Sequence, residues 1–189
     1  LNTYENITPV ESVSFTLEVT AEIDYGANVV SEGSFDLSGL NNSYNLTLSG
    51  SGDYYGYGNG NDNSIIGNSG ANTIKTYGGN DKVYGGKGND KIDLGSGNDY
   101  VKAGGGVESF IGGSGTDYIS YYDSTGGVTV NLATNQMSGS WAGNDTISGF
   151  ESISGSKTGA DTITGTSGAN TIKTYGGNDK VYGGKGNDK

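Results

Sequence analysis

The amino-acid sequence predicts an all-β protein, a parallel β-roll interrupted by an irregular β insert and preceded by a short antiparallel β segment. Glycine supplies 37 of the 189 residues and proline 1, while hydrophobic residues make up 31%. That is too little apolar matter for a large central core, and it suits a repeat fold closed around a thin seam. A nine-residue unit recurs from about Asn59 onward, with an apolar residue always in the same place. A stretch of 23 residues, SGANTIKTYGGNDKVYGGKGNDK, occurs twice without a mismatch, at 69–91 and 167–189. Ordered repetition of this kind separates the chain from a disordered glycine-rich one.

Residues 1–50 form the first segment. ESVSFTLEVTAEIDYG alternates apolar and polar residues, so Val13, Phe15, Leu17 and Val19 share one strand face. SEGSFDLSG and SYNLTLSGSG continue the alternation with Phe35, Leu37, Leu46 and Leu48, separated by glycine and asparagine turns. The pattern predicts three strands of antiparallel, sandwich-like character. Three strands make a poor independent domain, so the segment is read as the end of a preceding module or as an N-terminal cap.

A first roll occupies 51–120. In nines it reads GNSGANTIK (67–75), TYGGNDKVY, GGKGNDKID, LGSGNDYVK, AGGGVESFI and GGSGTDYIS (112–120). The sixth position runs Asn72, Asp81, Asp90, Asp99, Glu108, Asp117, and the eighth runs Ile74, Val83, Ile92, Val101, Phe110, Ile119. A looser unit before them puts Asp62 in the acidic slot, one residue out of register. Residues 121–154 are the insert, with a strand at Val128–Leu132 and a loop around Trp141. A second roll, 155–189, carries Asp161, Asn170, Asp179 and Asp188 in the slot. It stops at Lys189, before a counterpart of Ile92, so the array is expected to continue. The two exact copies are offset by 98 residues, a multiple of neither 9 nor 18, which marks duplication of a whole segment with its insert.

Each nine divides into a six-residue turn and a three-residue strand whose central residue points inward. Two nines make one coil, so slot residues 18 apart stack on one edge of a flattened roll. One edge reads Asp81, Asp99, Asp117, and the other Asn72, Asp90, Glu108. Coils lie about 4.8 Å apart, and carboxylates that close repel one another unless a cation sits between them. Glycines at 79, 86, 88, 95, 97, 113 and 115 allow backbone carbonyls to converge on the same place. Calcium fits such a site, because it takes 6–8 oxygens and accepts carbonyls as readily as carboxylates, whereas magnesium demands tighter octahedral geometry. The competing view, an ordinary solvated Gly-Asn-Asp turn edge, leaves the 18-residue recurrence unexplained.

Composition narrows the function. With 21 acidic residues against 10 basic ones the formal charge is −11, which repels nucleic acid. The absence of His and Cys removes most zinc sites, disulfides and the commonest general base. No G-x-S-x-G elbow occurs, no apolar run reaches transmembrane length, and the chain is read as non-enzymatic. On the Asp81 face the outward strand residues are Lys82, Tyr84, Tyr100, Lys102, Tyr118 and Ser120. This Tyr/Lys face is a candidate surface for self-association or for contact with a cell surface or extracellular matrix.

Residues 58–120 and 155–189 resemble repeats-in-toxin, or hemolysin-type, calcium-binding arrays, with GGKGNDKID, LGSGNDYVK and GGSGTDYIS as the best matches. The segments DYISYYDSTGGVTVNLAT and GNDTISGFESISGS look like inserts found in such proteins. The resemblance implies parallel β-rolls filled with several calcium ions, export by a type I system and folding outside the cell. It also implies Asp81, Asp90, Asp99, Asp117, Asp161, Asp179 and Asp188 as acidic ligands. Asn72 and Asn170 replace the acid, Glu108 is a methylene longer, and TYGG replaces GGxG at 76–79 and 174–177. A structural module of a secreted surface protein (adhesin, surface layer or filament) is the expectation. The alternative is the secretion and folding tail of a secreted hydrolase or toxin. Tandem duplication favours the first.

Overall fold

A computed structural model describes residues 21–24, 28–40, 42 and 44–189, with side chains from residue 28 onward. Glycine-rich turns alternate with three-residue strands, and successive strands fall on opposite sides of the seam. Among the described residues the first sheet contains nine strands, in the spatial order Ala21–Asp24, Asn28–Ser31, Asn45–Leu48, Ser64–Ile66, Lys82–Tyr84, Tyr100–Lys102, Tyr118–Ser120, Ser152–Ser154 and Thr171–Lys173. The second contains ten, beginning with Phe35–Asp36, Tyr55–Tyr57, Thr73–Lys75, Lys91–Asp93 and Ser109–Ile111. It continues through Thr146–Ser148, Gln136–Gly139, Val128–Asn131, Thr162–Thr164 and Lys180–Tyr182. Pairing within the repeats is parallel and in register, as in Val83 with Val101 and Ile74 with Ile92. The architecture is a parallel β-solenoid of the β-roll type.

The core is built on an apolar row from each sheet, joined by buried turn residues such as Leu37, Leu94 and Tyr121. Ile65, Val83, Val101, Ile119 and Ile153 of the first sheet and Ile74, Ile92, Phe110, Ile147 and Ile163 of the second are all fully buried. Each contributes about 1.5–3 kcal/mol on burial. A fold with so narrow a seam leaves the turn edges to be stabilised by other means.

The N-terminal segment differs from expectation. Val13, Phe15, Leu17 and Val19 lie outside the described residues. Of the rest, only Ala21–Asp24 and Asn28–Ser31 pair antiparallel. Asn45–Leu48 pairs parallel with both of its neighbours, and Phe35–Asp36 begins the other sheet. Alternation of apolar residues places a face inward but says nothing of the direction of the partner strand. Spacing does: Asn28 pairs Asn45, and Asn45 pairs Ser64, which are near-18 coil lengths.

The two rolls and the insert also form one body. A hairpin, Val128–Asn131 with Gln136–Gly139, is let into the second sheet, while Ser152–Ser154 continues the first from Tyr118–Ser120 into Thr171–Lys173. The sheets therefore run through the insert. One consequence is that the two identical copies sit in opposite phase. Thr73–Lys75 belongs to the second sheet, whereas its twin Thr171–Lys173 belongs to the first.

Candidate metal centre

The slot residues stack along the two edges as their spacing requires. Six slot aspartates accept on Oδ1 the backbone N–H of the slot residue one coil earlier, while Asp161 accepts that of Val128 in the insert at 2.9 Å. Asp81 accepts from Asn63 at 2.7 Å, Asp99 from Asp81 at 2.7 Å and Asp117 from Asp99 at 2.9 Å on one edge. Asp90 accepts from Asn72 at 2.8 Å on the other. In the last coils Asp179 accepts from Asp161 and Asp188 from Asn170, both at 2.9 Å. These bonds fix the carboxylates edgewise and leave one oxygen of each facing into the turn.

That second oxygen is the informative atom. Oδ2 of Asp81, Asp90, Asp99, Asp117 and Asp161 and both carboxyl oxygens of Glu108 are buried without a hydrogen-bond partner. Buried polar atoms are nearly always satisfied, and an unpaired buried charge is costly. Burial accordingly raises the pKa of Asp81 and Asp90 to about 7 and that of Asp117 to about 6, with backbone N–H donors opposing the shift. Asp99 and Asp161 move the same way for the same first cause. Glu108 is pushed up by burial and then by the adjoining Asp145 charge.

The turns supply the remaining donors. Gly79, Gly86, Gly88, Gly95, Gly97, Gly113 and Gly115 all have positive φ, between 90° and 137°. They occupy the second and fourth positions of their turns. A Cβ on Gly97 would lie 1.7 Å from the Gly79 carbonyl oxygen, and one on Gly95 would lie 2.0 Å from that of Tyr77. Carbonyls of each coil thus press against the glycines of the next, beside the unpartnered carboxylates. Among the described residues no three acidic side chains converge, so any ion here is held by one or two carboxylates completed with carbonyls. A hard divalent cation of variable coordination number is what such a donor set accommodates. Tyr77 and Tyr175 stand in second positions, at φ 70° and 61°, so TYGG adopts the backbone of GGxG despite its side chain.

Asparagine in the slot makes a different turn. Asn72 Oδ1 accepts the Asn68 N–H at 2.8 Å, while its amide donates to Asn68 Oδ1 at 2.9 Å. Asn170 accepts from Thr166 at 2.7 Å, and Asn63 from Asn59 at 2.8 Å. Asn72 and Asn170, expected among the ligands, thus form their turns without a carboxylate. Their carbonyl oxygens already hold a backbone donor, and the turn closes on itself without added charge.

Asp62 stands one residue outside the slot, as its register in the sequence implies. Asn63, not Asp62, fills the slot, since its N–H donates to Asp81 Oδ1. Asp62 lies exposed in a parallel column, accepting the Asn80 N–H at 2.6 Å, with Asn80 in turn accepting from Asn98. One residue of shift moves a side chain from the buried column to the solvent side.

Two acids that sequence reading left in the insert belong to the ladder. Asp145 Oδ1 accepts the Glu108 N–H at 2.9 Å, and Glu151 Oε2 accepts the Asp117 N–H at 2.9 Å. The signal was present: Gly143-Asn144-Asp145-Thr146-Ile147 repeats the Gly-Asn-Asp-x-apolar order of the nines, but 37 residues separate Asp145 from Glu108.

A solenoid with stacked carboxylate and carbonyl edges defines a class of divalent-cation-binding β-rolls. The profile of the RTX calcium-binding nonapeptide repeat matches residues 57–92, 88–119 and 157–189, together just over half of the chain. The chain belongs to that family, whose repeats bind calcium. No curated protein sequence matches it significantly.

Proposed function

We propose that the chain is a calcium-binding structural module of a secreted, surface-associated bacterial protein, which folds when calcium binds outside the cell. The observation that carries this reading is the column of buried carboxylate oxygens without partners. Asp81, Asp90, Asp99, Asp117 and Asp161, with Asp179 and Asp188 in the last coils, serve as acidic ligands alongside the turn carbonyls. Calcium supplies the positive charge that the carboxylates need. Where free calcium is scarce the ladder opposes folding, and where it is abundant the binding free energy becomes folding free energy. The family implies type I secretion, and a chain that stays unfolded until exported suits it.

Duplication of a whole segment with its insert favours an adhesin, surface layer or filament over the secretion and folding tail of a hydrolase or toxin. The Tyr/Lys face supports a contact role. Tyr84, Tyr100 and Tyr118 form a row with ring centroids 6.2 and 5.5 Å apart, and Lys82 and Lys102 lie 5.8 Å over the rings of Tyr100 and Tyr84. Such a row presents large area at low entropic cost. Replacing all three tyrosines with serine is expected to abolish self-association in sedimentation velocity; unchanged assembly removes that role.

The decisive test of the module is circular dichroism with and without calcium. Chelator is expected to abolish most of the β signal and calcium to restore it. A β signal indifferent to chelator sinks the proposal.

A further inference from the structure

The calcium-binding reading covers the repeats; residues 121–154 carry no part of the family match. The geometry points to one more divalent-cation site there, between Glu108 at the end of one coil and Asp145 inside the insert, closed over by Trp141. This inference rests on the calcium-binding reading and extends it from Glu108, in a repeat turn, to insert residues outside the family match.

The backbone first shows that Asp145 stands where a repeat aspartate stands. The Glu108 N–H donates to Asp145 Oδ1 at 2.9 Å, just as Asp81 donates to Asp99 and Asp99 to Asp117. The Thr146 N–H donates to the Glu108 carbonyl at 3.0 Å, and Thr146–Ser148 pairs parallel with Ser109–Ile111. The carbonyl stack persists too. A Cβ on Gly143 would lie 2.3 Å from the Gly106 oxygen, as one on Gly106 would lie 1.9 Å from the Gly88 oxygen. Gly143 has a φ of 72°. Insert residues thus rebuild a repeat turn by a different chain path.

The side chains then ask for a ligand. Glu108 is 3% exposed and Asp145 2%. Neither Glu108 oxygen has a partner, and Asp145 Oδ2 is held by the Tyr121 hydroxyl, which donates at 3.2 Å. Tyr121 is itself fully buried, so the group that orients Asp145 is fixed by packing. The longer reach of glutamate suits a gap spanned by a non-repeat turn. On the outer side, the Trp141 carbonyl and indole lie 3.5–3.7 Å from the Cβ position of Gly105, roofing the turn that bears Glu108. A cation held there completes the donor set with carboxylate and turn carbonyl oxygens, screened from water.

Trp141 is the only tryptophan, so it reports on this site. The experiment uses the whole chain: calcium stoichiometry by equilibrium dialysis, and terbium emission sensitised through tryptophan excitation. Glu108→Gln and Asp145→Asn are each expected to bind one calcium fewer and to lose most of the Trp-sensitised emission. Tyr121→Phe should keep the ion count and weaken this site by about tenfold or more, as loss of an orienting partner does. Asp188→Asn, on the last coil, should leave the Trp-sensitised emission unchanged. Circular dichroism in saturating calcium checks that each variant keeps its fold. An unaltered ion count and unaltered emission in Glu108→Gln overturn the inference and mean that the pair shares a proton instead. Wild-type chain that binds no calcium at all overturns the broader reading, a distinct result.

Discussion

Asp99 lies in the middle of its edge, and replacing it with asparagine separates the two roles of a slot carboxylate. Its Oδ1 accepts the Asp81 N–H at 2.7 Å, its own N–H reaches Asp117 Oδ1 at 2.9 Å, and its Oδ2 is buried without a partner. Asparagine keeps the shape and the Oδ1 acceptor but turns the free oxygen into an uncharged amide. In chelator the substitution removes a desolvated charge one strand spacing from two others. At about 4.8 Å and an effective dielectric of about 20, each ionised pair repels by roughly 3 kcal/mol before screening by salt. Desolvation is the first cause of the raised Asp99 pKa and neighbouring charge a later one. Exchanging the buried charge for a neutral amide is expected to stabilise the metal-free fold by about 1–3 kcal/mol, the repulsion removed outweighing an amide that finds no partner at Gly95. In calcium the sign reverses, because a site held at about 100 times its dissociation constant contributes about 2.7 kcal/mol. Losing one site therefore destabilises Asp99→Asn by about that amount. Urea denaturation in chelator and in calcium, with ion counting alongside, measures both. Equal destabilisation in the two conditions with an unchanged ion count would refute the reasoning, since it would make Asp99 a packing residue.

The remaining expectations concern pH, the neutral turns and the glycines. Folded-state pKa values near 7 for Asp81 and Asp90 and near 6 for Asp117 lie above the unfolded carboxylate value of 3.8. The folded chain therefore holds more protons, and its metal-free stability is full below about pH 4 and is lost as pH rises through 7. Calcium affinity should run the other way, falling on acidification as protons compete for the same oxygens. Thermal melts across pH in chelator, and calcium titrations over the same range, check the crossed trends. Asn72→Asp replaces a self-closed turn with a charged one, so it should destabilise the metal-free chain and raise the calcium bound per chain. Gly97→Ala forces a side chain onto a residue at φ 137°, with its Cβ 1.7 Å from the Gly79 oxygen. Left-handed backbone alone costs about 1–2 kcal/mol, and the clash adds to it, so calcium-saturated melts should shift down by several degrees or more.

Much of this protein can be read from its letters, because its local rules are strict. A nine-residue period with one apolar position specifies a turn, a short strand and an inward residue. The glycines at second and fourth positions mark where φ turns positive, and all seven singled out by sequence do so. Slot residues 18 apart had to stack, and Asp81, Asp99 and Asp117 do. The sequence was less informative wherever a residue count was not a multiple of nine. A single extra residue put Asn63 rather than Asp62 in the buried column, and 37 residues of unrelated chain brought Asp145 beneath Glu108. Nor does slot chemistry show in composition alone, since Asn72 and Asp90 differ by one atom type yet one turn closes on itself and the other leaves an oxygen bare.

The two identical copies draw the line between what sequence and tertiary structure decide. Their 23 residues form the same turns and strands in both places, because φ/ψ preferences and the apolar period act within a few residues. Their surroundings are not the same. Val83 pairs with Val101 in the first sheet, whereas its twin Val181 pairs with Ile163 in the second. Burial, partner and face are set by which coil lies above and below. That depends on the path of the intervening chain, here the insert hairpin that shifts the alternation between sheets. The sequence by itself determined the coil, and the stacking of coils decided which carboxylates face one another.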